Sequence, residues 1–268
     1  MSQLPEHATG RPLRLGAVSF LNTRPLVDGL DSEPGVSLHF AVPSALAGML
    51  DAGQVDASLI PVIDVARSGG RWRRVSNSCI ASDGPTMTVR VFSRVPPERM
   101  SVLHVDGDSH TSVALATLIW SRWFKRRLRI VPLASTAEAQ DCESVLLIGD
   151  KVVTAPVQGH DHQVDLGEAW KKWTGLPFVF AIWAGPAGIA HERLAPLLNA
   201  ARDRGVARAA EIAREAGPAH GWPVDVAHVY LIERLMFKVT PQAQEGMELF
   251  WKLAAEEGLI TERKESVR

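Results

Sequence analysis

The runs that most constrain this chain lie within its first sixty or so residues. Leu13–Val18, Val36–Val42 and Ala57–Ile60 are short and apolar or alternating, and each reads as a strand. Pro43-Ser44 opens a helical pattern that runs through Leu50 and stops at Asp51-Ala52-Gly53. Pro61 ends the third strand, and a second helix follows to Ser68-Gly69-Gly70. Strand, helix, strand, helix with short links is the pattern of a parallel α/β sheet. Thr86–Ser93 alternates, is rich in β-branched residues, and reads as a long strand leading out of this unit.

A second α/β unit follows. Val102–Val105, Arg129–Pro132, Ser144–Ile148 and Phe178–Trp183 read as strands, and Ser109–Lys125 as a helix with an apolar face. After Gly185-Pro186-Ala187-Gly188 the texture turns helical over 191–216, 224–237 and 241–257, with Thr240 as a cap and Pro241 in the first turn. The expected architecture is two α/β lobes joined by two crossings, near Thr88–Phe92 and Phe178–Trp183. Lobe one spans 13–90 plus 184–268 and lobe two spans 91–183, with the C-terminal helices on lobe one. Residues 1–12 read as a disordered lead. In such a fold a ligand lies in the cleft between lobes, which closes by a hinge.

Composition excludes several classes. A chain of 268 residues buries roughly three quarters of its unfolded surface, so it needs neither metal nor disulfide to fold. The net charge of −1 offers no basic face for nucleic acid, and the cluster at Arg122–Arg129 reads as a solvated helix end. Cys79 and Cys142 form neither a zinc motif nor a disulfide framework, which suits a reduced, cytosolic chain. The polar stretch Met1–Arg14 is not a secretory signal, and no run approaches the ~18 apolar residues of a membrane span. His104, His160 and His162 lack zinc spacing; there is no Gly-x-Gly-x-x-Gly after the first strand, no P-loop and no Gly-x-Ser-x-Gly elbow. Neither a metal nor a cofactor is expected.

Polar clusters sit where strands end. Ser19-Phe20-Leu21-Asn22-Thr23-Arg24-Pro25-Leu26 follows the first strand, at the end where open α/β sheets bind ligands. Asn22 or Thr23 fits a helix cap and Pro25 its first turn; Asn22 equally fits an amide at a pocket mouth. Ser82-Asp83-Gly84-Pro85 is a turn signal that leads to Thr88 on the presumed crossing strand. Ser109-His110-Thr111-Ser112 opens the apolar helix with more hydroxyls than one cap needs, which suits an anion site at a helix N-terminus. After the strand at 144–148, Gly149 permits a sharp turn or close approach, and Asp150 fits an acid/base, a hydroxyl acceptor or a turn residue.

Taken in order, these clusters resemble one family. The opening SFLNTRPL, Asp56-Ala57-Ser58-Leu59-Ile60-Pro61, Ser82-Asp83-Gly84-Pro85, Ser109-His110-Thr111-Ser112, Ile148-Gly149-Asp150, and Asp165-Leu166-Gly167-Glu168-Ala169-Trp170 with Trp173-Thr174-Gly175-Leu176-Pro177-Phe178 resemble the chorismate dehydratases of the futalosine route to menaquinone. The likeness runs from about Leu13 to Ile260. It implies a two-lobed periplasmic-binding-protein-like fold of type II, used in the cytoplasm as a hydro-lyase that removes water from chorismate. It also implies Asn22 and Thr88 as catalytic residues, with Ser58, Ser82, Ser109, His110, Thr111, Ser112 and Asp150 around the substrate. The family carries serine on the crossing strand where this chain has Thr88, which leaves Thr88 and Ser82 both as sources of that hydroxyl. Many relatives have arginine where this chain has His110. The sister enzymes that make 1,4-dihydroxy-6-naphthoate open on Ser-Pro-Cys-Pro-Asn-Asp, which this chain lacks. A non-enzymatic small-anion-binding protein is the remaining alternative.

Overall fold

The sequence strings short buried strands between helices, and the computed structural model arranges them in two sheets. It describes residues 11–260 apart from Asp108, Ala134, Pro156, Ile189 and Ala190; most of the expected lead lies outside the described residues. β1 (Leu13–Ala17) leads to a 3-10 segment over Leu21–Leu26. β2 (Val36–Phe40), α1 (Pro43–Asp51), β3 (Ala57–Pro61), α2 (Val62–Arg67) and β4 (Trp72–Ser82) follow. Next come β5 (Val89–Ser93), β6 (Val102–Val105), α3 (His110–Leu118), β7 (Arg129–Pro132), β8 (Ser144–Ile148), α4 (Lys151–Thr154) and β9 (His162–Asp165). α5 (Leu166–Thr174), β10 (Phe178–Pro186), α6 (His191–Ala207), α7 (Ala209–Ala216), α8 (Val224–Val229), β11 (Met236–Lys238) and α9 (Pro241–Glu256) complete the order.

One sheet has six strands in the order β11-β4-β10-β3-β1-β2, and the other has five in the order β7-β6-β8-β5-β9. Both are mixed. β1 runs parallel to β2 and β3, whereas β10 is antiparallel to β3 and β4. β6 is parallel to β7 and β8, and β5 is antiparallel to β8 and β9. The chain therefore passes between sheets at 83–88 and again at 166–177. Val89 and Arg90 already belong to the five-stranded sheet, and Phe178–Trp183 belong to the six-stranded one, so the sheets divide the chain earlier than the boundaries expected at 90/91 and 183/184.

Side-chain alternation explains how the five-stranded sheet is covered. Leu146 and Ile148 of β8 join the main core, while Val145 and Leu147 join a smaller cluster with Phe92 and Ala139. Trp170 on α5 meets Phe178 and Phe250 edge-on, with centroids 5.3 and 6.2 Å away, tying α5, β10 and α9 together. Thr240 accepts from the Ala243 N–H and Pro241 starts α9, as its sequence requires.

Several elements depart from the sequence reading. β4 was not expected, because Arg73, Arg74, Ser76, Asn77 and Ser78 break its apolar pattern. Its buried Ser78 is satisfied by the Leu198 carbonyl and the Asn199 side chain on α6. The long strand expected over Thr86–Ser93 begins only at Val89, since Met87 is held at φ 69°. The helix expected over 109–125 passes into a π-helical turn at Ile119–Trp123. The one expected over 224–237 gives way to a π-helical turn at Tyr230–Arg234 and then to β11, which takes an edge of the six-stranded sheet.

A close approach fixes the segment after β1. A Cβ on Gly205 of α6 would lie 2.1 Å from the Pro25 carbonyl oxygen, so α6 packs flush against Leu21–Leu26 only without a side chain there. Gly205→Ala should therefore destabilise the protein by about 2 kcal/mol in chemical denaturation, since a backbone has to move. An unchanged denaturation midpoint would contradict this packing.

Candidate active site

A cleft of about 640 Å³, open solvent at its mouth included, takes lining from both sheets. The ends of β1 and β3 supply Val18, Phe20, Asn22, Leu59 and Pro61. The other sheet supplies Val89, the start of α3 supplies Ser109, Thr111 and Ser112, and the end of β8 supplies Ile148 and Gly149. Thr86 and Thr88 come from the passage between sheets, and Tyr230 from the π-helical turn. No Asp, Glu, Lys, Arg or His is among the described residues that line the cleft.

Asn22 lies inside the 3-10 segment and is not its cap. Phe20 occupies the cap position without a side-chain bond, and Pro25 sits within the segment rather than in its first turn. The Asn22 amide is therefore free to reach elsewhere: its Nδ2 donates to the Tyr230 hydroxyl at 3.1 Å, and its Oδ1 accepts from the Thr23 hydroxyl at 3.3 Å. The Tyr230 hydroxyl also lies 2.8 Å from Thr88 Oγ1. Burial pushes the Tyr230 phenol far above its ordinary range, against the opposing hydrogen bonds from Thr88 and Asn22, so it stays protonated at neutral pH.

The passage between sheets owes its shape to Asp165, the residue that ends β9. Its carboxylate accepts from the N–H groups of Thr86, Met87, Gly167 and Glu168 and from the Thr86 hydroxyl. That cradle caps α5 and holds Met87 in the left-handed region, which a side chain adopts only under outside constraint. It thereby aims the neighbouring Thr88 at Tyr230.

At the start of α3, the Ser109 hydroxyl accepts from the Ser112 N–H and donates to the Ser112 hydroxyl at 2.7 Å. The other first-turn N–H groups have no acceptor within the helix and carry the positive end of its dipole. Thr111 Oγ1 accepts from the Ile63 N–H at 3.4 Å, fastening this turn to α2. Gly149, at φ 64°, faces the Phe20 ring, where a Cβ would stand 3.1 Å from it.

Of the residues singled out from sequence, Asn22, Thr88, Ser109, Thr111 and Ser112 meet at the cleft. Ser58, Ser82, His110 and Asp150 are not among its lining. Ser58 donates to the Gly16 carbonyl and Ser82 to that of Gly84, both buried. His110 faces α2, its Nδ1 2.8 Å from the carboxylate of the buried Asp64. Asp150 gathers two separate stretches: it accepts from the Leu21 N–H and the Trp222 indole, and its other oxygen lies 2.9 Å from His220 Nδ1. Trp222 in turn stacks on Tyr230 with centroids 4.8 Å apart. Sequence reasoning passed over Tyr230 and gave Thr86 and Asp165, both within motifs it singled out, no role of their own. Tyr230 is the chain's only tyrosine, and Asp165-Leu166-Gly167-Glu168 is a helix-start signature, so both left a signal.

Comparison with known proteins decides the family. A family model described as menaquinone biosynthesis matches residues 13–256. The chain belongs to that family. It is 27% identical over 268 residues to the chorismate dehydratase of Thermus thermophilus, covering 92% of this chain and 95% of that protein. Among solved structures it is similar to protein AF1704 from Archaeoglobus fulgidus, with TM-score 0.78, 14% identity, and coverage of 95% of this chain and all of that one. It is also similar to the periplasmic aliphatic sulphonate binding protein of Escherichia coli, with TM-score 0.63, 14% identity, and coverage of 94% and 89%. The fold of this menaquinone biosynthesis family member is thus the two-lobed, periplasmic-binding-protein-like α/β fold. Among its described residues no helix is long and apolar enough to cross a membrane, and no group of acidic, histidine or cysteine side chains is placed to hold a metal ion.

The hydrogen bond to Asp64 raises the His110 pKa above its usual 6.5, against a smaller opposing effect of burial. A raised folded pKa means that this pair's stabilisation is complete below about 6.5 and is lost as pH climbs through the raised value. The denaturation midpoint should fall over that climb, and His110→Gln should remove that part of the fall. A slope in the variant equal to that of the wild type would contradict the pairing.

Proposed function

We propose that the protein is a hydro-lyase that converts chorismate to 3-[(1-carboxyvinyl)oxy]benzoate and water. The observation that carries this reading is the cleft lining: hydroxyls, an amide and a helix N-terminus converge there, with no charged side chain among the described residues. The name of the Thermus relative supports the substrate. Chorismate is a dicarboxylate, and oriented N–H and O–H groups bind carboxylates without a countercharge.

The reaction needs little beyond this. The C3 hydrogen is vinylogous to the ring carboxylate, so hydrogen bonds to that carboxylate acidify it. The C3–H bond breaks, its electron pair forms the new C3–C4 double bond, the C4–O bond breaks, and the hydroxide leaves as water with the proton. Aromatisation drives the step. Ser109, Thr111, Ser112 and the first turn of α3 hold the ring carboxylate. Asn22 and Thr88 are the catalytic residues: they hold the enolpyruvyl carboxylate, which takes the C3 proton itself. Catalysis is then orientation and electrostatic preorganisation. Ser58, Ser82, His110 and Asp150 act from behind the lining, through Gly16, Gly84, Asp64 and Trp222 respectively. The lobes carrying the two sheets close on the substrate about the passages at 83–88 and 166–177. A cytoplasmic location goes with this reading, as both cysteines are free thiols.

Incubation with chorismate should yield an aromatic product with the ultraviolet spectrum of a substituted benzoate. Asn22→Ala should lower turnover by about 100-fold, the usual loss for an oriented donor, and keep the native circular dichroism. Saturable binding of chorismate without product would sink the enzymatic reading in favour of a binding protein. An unimpaired Asn22→Ala would remove Asn22 from the site.

A further inference from the structure

The Tyr230 hydroxyl is buried between Asn22 Nδ2 at 3.1 Å and Thr88 Oγ1 at 2.8 Å. A phenol has one hydrogen to give. The Asn22 amide is the donor to it, since the amide oxygen already takes the Thr23 hydroxyl. Thr88 Oγ1 is then the acceptor that the described residues offer the phenol hydrogen. Were Thr88 the donor instead, Tyr230 would bury a hydrogen with no acceptor among the described residues, an arrangement that folded proteins avoid. With Oγ1 accepting from Tyr230, the hydrogen of Thr88 itself points away, and Thr88 lines the cleft.

We propose that Tyr230 is a positioning residue that sets the direction of an Asn22–Tyr230–Thr88 chain, so that Thr88 presents its hydrogen to a carboxylate oxygen of the ligand. The identity of that ligand as chorismate rests on the proposed function; the direction of the chain does not. Each bond donated along such a chain makes the next hydroxyl a stronger donor. The ring itself is held against rotation. It stacks on Trp222 at an interplanar angle of 18°, and the Trp222 indole is pinned 3.0 Å from Asp150 Oδ1. A Thr88 hydroxyl without this chain would spread its hydrogen over several directions.

Tyr230→Phe keeps the stack and removes only the hydroxyl. With chorismate it should lower kcat/KM about tenfold or more, with a melting temperature within a few degrees of the wild type. The same change should cost little more in a Thr88→Val background, where the donor is already gone and only the bond to Asn22 remains to be lost, and should retain its full effect in a Thr88→Ser background. Independent, multiplying losses from Tyr230→Phe and Thr88→Val would overturn the proposal, as would a Tyr230→Phe enzyme as fast as the wild type. If the wild type leaves chorismate unchanged, it is the functional reading that fails, and neutron diffraction of the deuterated protein decides the chain. Deuterium on Tyr230 directed at Thr88 Oγ1 supports it; deuterium on Thr88 directed at Tyr230 overturns it.

Discussion

One buried phenol joins three stretches that the sequence keeps far apart. Asn22 follows the first strand, Thr88 lies between the sheets, and Tyr230 belongs to the C-terminal region; both bonds to Tyr230 span more than a hundred residues. A buried polar group left unpaired costs about 1–3 kcal/mol, so Tyr230 holds both Asn22 and Thr88 in place and is held by them. Burial keeps the phenol neutral, which lets it accept and donate at once. Behind it stand two carboxylates that do not line the cleft. Asp165 shapes the backbone at Thr86 and Met87, and Asp150 fixes Trp222 against the ring. The acids of this site hold its lining in place and do not themselves line the cleft.

This division has an electrostatic logic. A carboxylate side chain in the cleft would repel a dianionic substrate, and a lysine or arginine would bind substrate and transition state alike, which does little for the chemical step. Oriented hydroxyls, an amide and the N-terminal turn of α3 instead supply partial charges that need no rearrangement as the reaction proceeds. Under the proposed elimination the substrate brings its own base and its own driving force. The protein is asked for geometry, and the Tyr230 chain with the Ser109–Ser112 pair supplies it.

Short runs dominated by apolar residues were legible in the sequence as strands. β6, β7 and β8 lie where their pattern predicts, and the Thr240-Pro241 start of α9 holds to the residue. β4 was hidden because its polar side chains find partners only after α6 packs on it. β11 was hidden because three residues following a helical pattern carry no period of their own. For the site, residue type at strand ends led to Asn22, Thr88 and the Ser109 cluster, since strand ends are where such folds expose polar groups. It could not tell a side chain that lines the cleft from one that holds the wall: Asp150 and His110 sit beside cleft residues in sequence but turn to Trp222 and Asp64. Tyr230 left only its rarity as a signal, because its importance lies in contacts that the sequence does not display.

The most direct test of a cleft that works without a titrating side chain is the pH dependence of kcat/KM for chorismate. With chorismate fully ionised, Tyr230 neutral, His110 replaced by glutamine and no acid or base among the described lining residues, the profile should be flat from about pH 6 to about pH 9. A limb within that range that vanishes when a single protein residue is replaced would reveal a titrating catalytic group and contradict the account.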